Sequence, residues 1–435
     1  MGFAARGTAR RLLGAGLVAG ALAVGVLSTA SADEATGGAG IVGTPVNVGQ
    51  SLCGSGYSGG TAGPLAFALQ NSSGFVQEVQ VQDVSSKRIF ADVEDLGVGA
   101  TRSLTLTLPA GSYRFLCMGG ADGQAYAGPA WSLTGDYAGA TTPGSLPTTE
   151  GDLIKPIDDY SAWVTGQLAH LRSDVATLSA RLARGNLTTA RAAWKTAHRQ
   201  YLLLGAAYDA FGDLGDAIDA PTTPNVAPLT DPGLTGFPKL QAVLWHAQPV
   251  AAVKRAGKTA RQLRKARRTA RRARHRLTTY LHRSAVPVAA RLGSDVGTLV
   301  RTFDNPVQPT MTDMGLRSHE ILEDALRFEL TGRDDAGAHL TLFDLDAMVD
   351  ATRDIIAPSR SLLAKRDPDL ATTDAWLTRL KAYVDTFHDP RTDTWRPYQS
   401  LSTAQRRRLE ATLSQTLEYL SQIAVVLDPV EAGPA

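Results

Sequence analysis

Cysteine and histidine are scarce in this 435-residue chain, and their positions exclude one kind of metal site. The two cysteines are Cys53 and Cys117, and the first of the eight histidines is His170. A blue-copper centre needs two histidines and a cysteine, so the N-terminal part cannot build a copper site on imidazole. A lone cysteine pair in a small exported domain favours a disulfide. A carboxylate–thiolate metal site using Glu78 or Glu94 is the alternative.

Long apolar runs are missing after the first 32 residues. Arg6, Arg10 and Arg11 precede an uncharged apolar stretch, Leu12–Leu27, and small residues then lead to Asp33. This order is typical of a signal peptide over residues 1–32. The paired arginines also hint at the twin-arginine route, so the export route stays open. We expect a soluble protein outside the cytoplasm, either periplasmic or extracellular and at the cell surface.

Enzyme signatures are missing as well. The chain contains no nucleophile elbow, no phosphate-binding loop and no dinucleotide fingerprint. Its formal net charge is only +2. The sequence therefore indicates a non-enzymatic protein with no organic cofactor, and export argues against nucleic acid as a partner.

The N-terminal part has the pattern of a β-sandwich. Short segments alternate apolar and polar residues and are separated by clusters of Gly, Pro, Asn and Ser, which form turns. Several such strands within about 90 residues are typical of two packed sheets. This pattern predicts a domain over residues 45–135. Its expected strands are Pro64–Leu69, Phe75–Val81, Ser103–Leu108 and Ser112–Leu116.

The pattern changes after a linker that is predicted at residues 136–152 from its Gly, Thr and Pro content. Apolar residues then recur every three or four positions, as in long helices, and short connections indicate an up-and-down bundle over residues 153–430. The expected helices are Tyr160–Leu182, Leu187–Phe211, Arg317–Leu330, Asp344–Leu363, Thr373–Phe387 and Thr403–Leu427. The fold class is therefore a multidomain β plus all-α protein.

Acidic residues are absent between Gly233 and Ser294, while basic residues crowd together between Lys254 and Arg276. Alanine and leucine recur there at helical spacing, which predicts a basic helix near residues 254–282. One interpretation is a solvated face of the bundle. The other is a surface that binds a polyanion, an anionic membrane or an acidic partner.

Both parts resemble one family. In the N-terminal part the segments Phe75–Val81, Val93–Glu94 and Pro109–Cys117 are similar to the cupredoxin-like domain of EfeO-type iron-uptake proteins. The C-terminal part resembles their imelysin-like helical domain. The segments that carry this second resemblance are Ala193–Tyr201, Gly205–Asp213, Gly236–Phe237, Leu244–Trp245 and His319–Gly332.

The chain departs from that family at four positions where the family carries donor atoms. The family's Gly-Phe-His-x-x-Glu motif reads here as Gly-Phe-Pro-Lys-Leu-Gln, which replaces its His and Glu by Pro238 and Gln241. Two further acids are replaced by Leu202 and Gly215. Proline offers no donor atom and glutamine only a neutral carbonyl, so the usual metal site is expected to be lost or weakened.

Other candidate donors remain. Glu320 and Glu323 share a helix with His319, and His319 and Glu323 stand one turn apart. Asp213 and His339 complete the candidate set for an iron or copper ion. The other interpretation is that these acids form the solvated face of a bundle helix.

The resemblance implies an exported component of an iron-uptake system that works with a membrane iron permease and a haem peroxidase. The lost donors suggest divergent metal binding. A metal-free scaffold that binds an anionic surface or partner through the basic helix is the alternative.

Overall fold

A computed structural model of the protein describes residues 43–49, 51–119, 125–303 and 311–429. The predicted signal peptide, residues 1–32, lies outside the described residues and stays a prediction. None of the described helices combines the length and the apolar character needed to cross a membrane.

Nine strands are described in the N-terminal domain, where they form two sheets. The smaller sheet has the order β1-β3-β6 and the larger one the order β2-β9-β7-β4-β5, with β8 paired to β7. These strands are β1 Thr44–Val48, β2 Gly59–Thr61, β3 Gly63–Asn71, β4 Gln77–Asp83, β5 Ile89–Leu96, β6 Thr101–Leu108, β7 Gly111–Met118, β8 Ala125–Ala127 and β9 Trp131–Thr134. The predicted β-sandwich is therefore confirmed, whereas its cupredoxin-like character stays a prediction.

The core of the sandwich is formed by the inward-facing residues, which alternate with outward-facing residues along each strand. Phe67 on β3 and Phe115 on β7 meet edge to face, with ring centroids 5.3 Å apart, and both are fully buried. Cys53 and Cys117 are joined by a disulfide in this core. The bond closes a loop across 64 positions of sequence, which stabilises the fold by about 2–4 kcal/mol. The predicted pairing is confirmed, and it removes the free thiolate that the alternative metal site needed.

The predicted linker is shorter than expected, and it contacts both the β-sandwich and the helical part. The first helix begins at Glu150, where the Thr149 side chain caps it, so the last three residues of the predicted range 136–152 are helical. Ser145 pairs with Ile89 of β5, and the Thr148 hydroxyl donates to the backbone oxygen of Val426, 2.5 Å away. The capping box at Thr149 explains the early start, because it satisfies the free N–H groups of the first turn.

Eleven helices are described in the C-terminal part, together with a short hairpin of β10 His388–Asp389 and β11 Thr394–Trp395. The helices are α1 Glu150–Ala183, α2 Leu187–Leu202, α3 Tyr208–Phe211, α4 Asp213–Ile218, α5 Gly236–His246, α6 Ala260–Ser284, α7 Val286–Thr302, α8 Met311–Asp324, α9 Thr341–Arg366, α10 Leu370–Asp385 and α11 Thr403–Leu427. A π-helical turn, Ala325–Glu329, extends α8.

The bundle core runs along the apolar faces of the long helices. α1 contributes a fully buried series at three- and four-residue spacing, including Tyr160, Val164 and Leu171. α2 ends at Leu202 and not at Phe211, because the chain turns there into a short 3₁₀ segment. The basic helix exists as α6, but residues 254–259 precede it and are not helical.

Candidate functional site

One end of the bundle contains a small polar pocket of about 80 Å³. Side chains from α2, the end of α4, α5, the π-helical turn and α9 converge on it. The lining residues are Trp194, His198, Leu202, Asp219, Ala220, Pro221, Pro238, Gln241, Glu329, Asp334 and Asp344. Four of them are acids, one is a histidine, and this lining contains no lysine or arginine.

Helix α2 supplies one wall through residues that are four positions apart. Trp194, His198 and Leu202 lie on one face, as the helical repeat requires. The Trp194 ring stacks on His198 with centroids 4.4 Å apart, and its indole N–H donates to the backbone oxygen of Phe237, 3.1 Å away. The histidine ring is therefore fixed in position between α2 and α5.

A close backbone contact brings α4 and α5 together. Gly236 begins α5 with φ of +48°, and a Cβ at this position would lie 1.7 Å from the backbone oxygen of Ile218. Only glycine can occupy such a position. The contact holds the start of α5 against the last residue of α4, and Asp219 follows directly at the pocket wall.

The opposite wall carries two buried acids. One lies on the π-helical turn and the other at the start of α9. Glu329 is the last residue of the π-helical turn and is 8 % exposed. Such turns occur often at functional sites, because the extra residue redirects a side chain. Asp344 lies in the first turn of α9, where the helix dipole favours a carboxylate.

His198 stands between two carboxylates. Its Nδ1 lies 3.2 Å from Asp344 Oδ1, and its Nε2 lies 3.9 Å from Asp219 Oδ1. Neither His198 Nδ1 nor Asp344 Oδ1 makes a well-formed hydrogen bond, although both atoms are buried. The two atoms therefore face each other without the well-formed hydrogen bonds that buried polar atoms normally make.

Burial and mutual repulsion hold protons in the pocket. Burial raises the pKa of Asp219 to about 7 and that of Asp334 to about 6. Burial, followed by the charge of Asp344, raises the pKa of Glu329 well above its usual range. Burial alone would lower the pKa of His198, but Asp344 and Asp219 outweigh it and the net shift is upward. The pocket thus contains too little positive charge for all four of its acids to be ionised together.

Three of the four positions at which the resemblance predicts lost family donors line this pocket. They are Leu202, Pro238 and Gln241, whereas Gly215 lies outside the lining, within α4. Gln241 has a definite role, because its side-chain oxygen accepts a hydrogen bond of 2.8 Å from the backbone N–H of Ala336. That bond holds the loop that carries Asp334.

The structure does not bring the predicted metal ligands into this pocket. Asp213 is exposed at the start of α4. On α8, His319 Nδ1 lies 3.6 Å from Glu323, and Glu320 pairs with Arg317 at 3.0 Å. These three α8 groups are thus already engaged in local ion pairs. Metal binding through them stays a prediction.

His339 is also placed apart from the pocket lining. It is exposed, has φ of +57°, and its Nδ1 lies 2.7 Å from Asp335. Asp335 also accepts from the backbone N–H groups of Gly337 and His339, so the ion pair belongs to a tight turn. In the described residues no three His, Cys, Asp or Glu side chains stand in a ready-made metal geometry.

In the β-sandwich, Glu78 and Glu94 lie on neighbouring strands beside Asp92. Burial, followed by the charge of Asp92, raises the pKa of Glu78 to about 7. The Gln80 amide donates to both Glu78 and Asp92 and partly satisfies them. With both cysteines in the disulfide, the carboxylates have no thiolate partner there.

Sequence reasoning did not predict that the four acids around His198 share a pocket. Asp219 lies more than 100 positions before Glu329, Asp334 and Asp344, and no local motif joins the four. A signal did exist for His198, since it stands four residues before the degenerate position Leu202 and therefore shares its helix face.

The comparisons with known proteins agree with this architecture. Residues 156–424 match the family described as imelysin, peptidase M75, which covers well over half of the chain. The chain therefore belongs to the imelysin family.

Its similarity to particular relatives extends beyond the helical domain. The chain is 22 % identical over 367 residues to the iron uptake system component EfeO of Yersinia pestis, covering 84 % of this chain and 86 % of that protein. It is 21 % identical over the same length, with the same coverage, to EfeO of Escherichia coli K12.

Proposed function

We propose that this protein is an exported, non-enzymatic component of an iron-uptake system, and that the pocket around His198 holds the iron ion as cargo. The site uses a donor set that differs from the family's His-x-x-Glu pair. Asp219, Asp344 and Glu329 supply anionic oxygens, and His198 supplies one nitrogen.

The observation that carries the proposal is the unsatisfied pair of His198 Nδ1 and Asp344 Oδ1 inside an acidic pocket. Both residues are more than nine-tenths buried, and the two atoms face each other at 3.2 Å without a well-formed hydrogen bond. A bound cation would satisfy both atoms and would neutralise the crowded carboxylates. Carboxylates and imidazole are donors that iron accepts.

The positions of Pro238 and Gln241 support the idea that other residues of the same pocket replace the donors of the family. Pro238 and Gln241 line the same cavity as the four acids. The acids in the same lining therefore offset the loss of two family donors, and we propose that Asp219 or Glu329 rotates toward His198 when the ion binds.

A non-enzymatic role fits the composition of the pocket. Its lining has no serine, threonine or cysteine that could act as a nucleophile beside His198. The EfeO relatives are named as components of iron uptake, although the family carries a peptidase name. A membrane iron permease and a haem peroxidase are the partners that this role implies.

Metal titration tests the proposal. Calorimetry with chelated ferric iron and, without oxygen, with ferrous iron should give one site per chain. Exchange of both Asp219→Asn and Asp344→Asn should weaken binding by about 100-fold, because two anionic donors are lost at nearly constant volume.

The matched control removes two acids outside the pocket, Glu320→Gln and Glu323→Gln. Its affinity should stay within about threefold of the native protein. If the control loses the site and the pocket variant keeps it, iron binds at the α8 residues. If the native protein binds no iron or copper, the metal-free scaffold is the better description.

A further inference from the structure

The basic segment, defined as residues 254–276, is the most concentrated charge in the described structure. It contains twelve lysine and arginine residues and no acid. Nine of the twelve are arginines, whose planar guanidinium groups bind phosphate oxygens in pairs. Neither the pocket nor the family relationship accounts for this segment.

The charges in the basic segment are not neutralised internally. None of its side chains forms an ion pair within the described parts of the chain. Like charges three and four residues apart on a helix repel one another and weaken it. The isolated protein thus keeps an unfavourable arrangement that an external polyanion would relieve.

Helix α6 is attached to the bundle through its C-terminal end. Leu281 is fully buried there, and the Tyr280 hydroxyl donates to the backbone oxygen of Val243, 3.3 Å away. His282 Nε2 lies 2.9 Å from the backbone oxygen of Ala183. From Ala260 to Arg276 no residue is buried, so this part presents its side chains to solvent. A capping box between Thr259 and Gln262 keeps its first turn helical.

The two sides of α6 differ. Ala266, Ala270 and Ala273 line a groove whose other side is the segment Val250–Val253. Arg264, Arg268 and Arg271 lie on the opposite, exposed side. Alanine methyl groups are too small to insert among lipid chains, which takes larger apolar residues. Contact through this helix is therefore a surface contact made by charge.

We propose that the basic face of α6 docks the protein on the surface of a bilayer that contains anionic phospholipids. Phosphate groups of the lipids would pair with arginines along about 25 Å of helix, from Ala260 to Arg276. The choice of a bilayer among polyanions rests on the proposed function, because an ion that is taken up must cross a membrane. Docking would hold the iron-binding protein at the membrane surface.

Co-sedimentation with vesicles tests this inference, with EDTA present so that metal binding plays no part. The protein should bind vesicles of 70 % phosphatidylcholine and 30 % phosphatidylglycerol at low salt, where basic residues are attracted to anionic lipids, and should leave them at about 0.5 M salt. The triple exchange Arg264→Gln, Arg268→Gln and Arg271→Gln should lower the partition coefficient about 100-fold.

A matched variant removes three exposed arginines elsewhere, Arg172→Gln, Arg301→Gln and Arg407→Gln, and should bind within about twofold of the native protein. Equal loss of vesicle binding in both variants would show that the net charge of the protein, and not α6, causes the binding. That result would overturn docking by α6. Equal binding to pure phosphatidylcholine vesicles would also overturn it. Binding to soluble polyphosphate but not to vesicles would replace the bilayer by a free polyanion. Failure on vesicles with normal iron binding would refute the docking while leaving the proposed function intact.

Discussion

The pocket around His198 and the basic segment concentrate opposite charges in opposite surroundings. The pocket brings four acids and one histidine into about 80 Å³, where burial raises the pKa values of Asp219, Glu329 and Asp334. The basic segment spreads twelve cationic side chains over an exposed helix and the turn before it.

The difference shows how surroundings determine the partner. A small enclosed space with anionic and imidazole donors suits a single cation, which can shed its water and take several donors at once. An open row of guanidinium groups suits an extended anion, and its contacts are screened by salt. The pocket selects its ligand through metal coordination, and the basic segment attracts its partner through long-range electrostatic attraction.

The largest expected effect appears when iron binding and vesicle binding are both measured on the variants of both regions. The variant Asp219→Asn with Asp344→Asn should lose iron affinity about 100-fold while vesicle binding stays unchanged. The triple arginine variant of α6 should show the reverse. Calorimetry and co-sedimentation on the same preparations measure both. Loss of both activities in either variant would contradict the separation, once circular dichroism has shown that the variant is folded.

A gain of function sharpens the account of the pocket. Restoring the family residues through Pro238→His and Gln241→Glu should raise iron affinity about tenfold, since both side chains enter a lining that already holds acids. Glutamate keeps an oxygen for the backbone N–H of Ala336. Glu323→Ala should change the affinity much less, because Glu323 does not line the pocket. Calorimetry on the three proteins decides the order.

The metal-free protein should lose stability as the pH rises. The pKa values of Asp219, about 7, and Asp334, about 6, are raised in the folded state, and that of His198 is raised as well. The folded state therefore binds more protons than the unfolded state between about pH 4 and pH 7, and the free energy of unfolding falls across that range.

Calorimetric melting of the EDTA-treated protein at pH 5 and pH 8 measures this loss, which should amount to a few degrees. Asp219→Asn should reduce the difference, because one shifted carboxyl is removed. A melting temperature that rises steadily from pH 5 to pH 8 would contradict the proposed protonation of the pocket.

The smallest expected effect concerns salt. Raising ionic strength from about 20 to 300 mM should leave the melting temperature unchanged or raise it by about 1–2 °C, because repulsion along the basic segment is screened. The triple arginine variant should respond less. A melting temperature that falls with salt would indicate an acidic partner within the protein's own bundle.

The fold followed from the sequence where periodicity was strong. α11 was predicted at its observed bounds, and the disulfide followed from the two cysteines alone. α7 was missed, since it lies directly after the basic helix with only a turn at Ala285 between them. The capping box at Thr149 moved the start of α1 into the predicted linker.

The site was harder to predict because it is built from tertiary contacts. The resemblance to the EfeO-type proteins drew attention to Leu202, Pro238 and Gln241 as lost donors, and all three line the pocket. The donors that face them could not be predicted in this way, because Glu329 depends on a π-helical turn and Asp344 on the packing of α9. A local motif such as His319 with Glu323 gave a plausible pair at one turn, yet the fold places it outside the pocket lining.

The most direct test of the central claim is the position of iron in crystals of the protein grown or soaked with the ion. An anomalous difference map at the iron edge should show its strongest peak in the pocket, within bonding distance of oxygens of Asp219 and Asp344 and of the His198 ring. A peak at His319 and Glu323, or in the β-sandwich, with no density in the pocket would contradict the account.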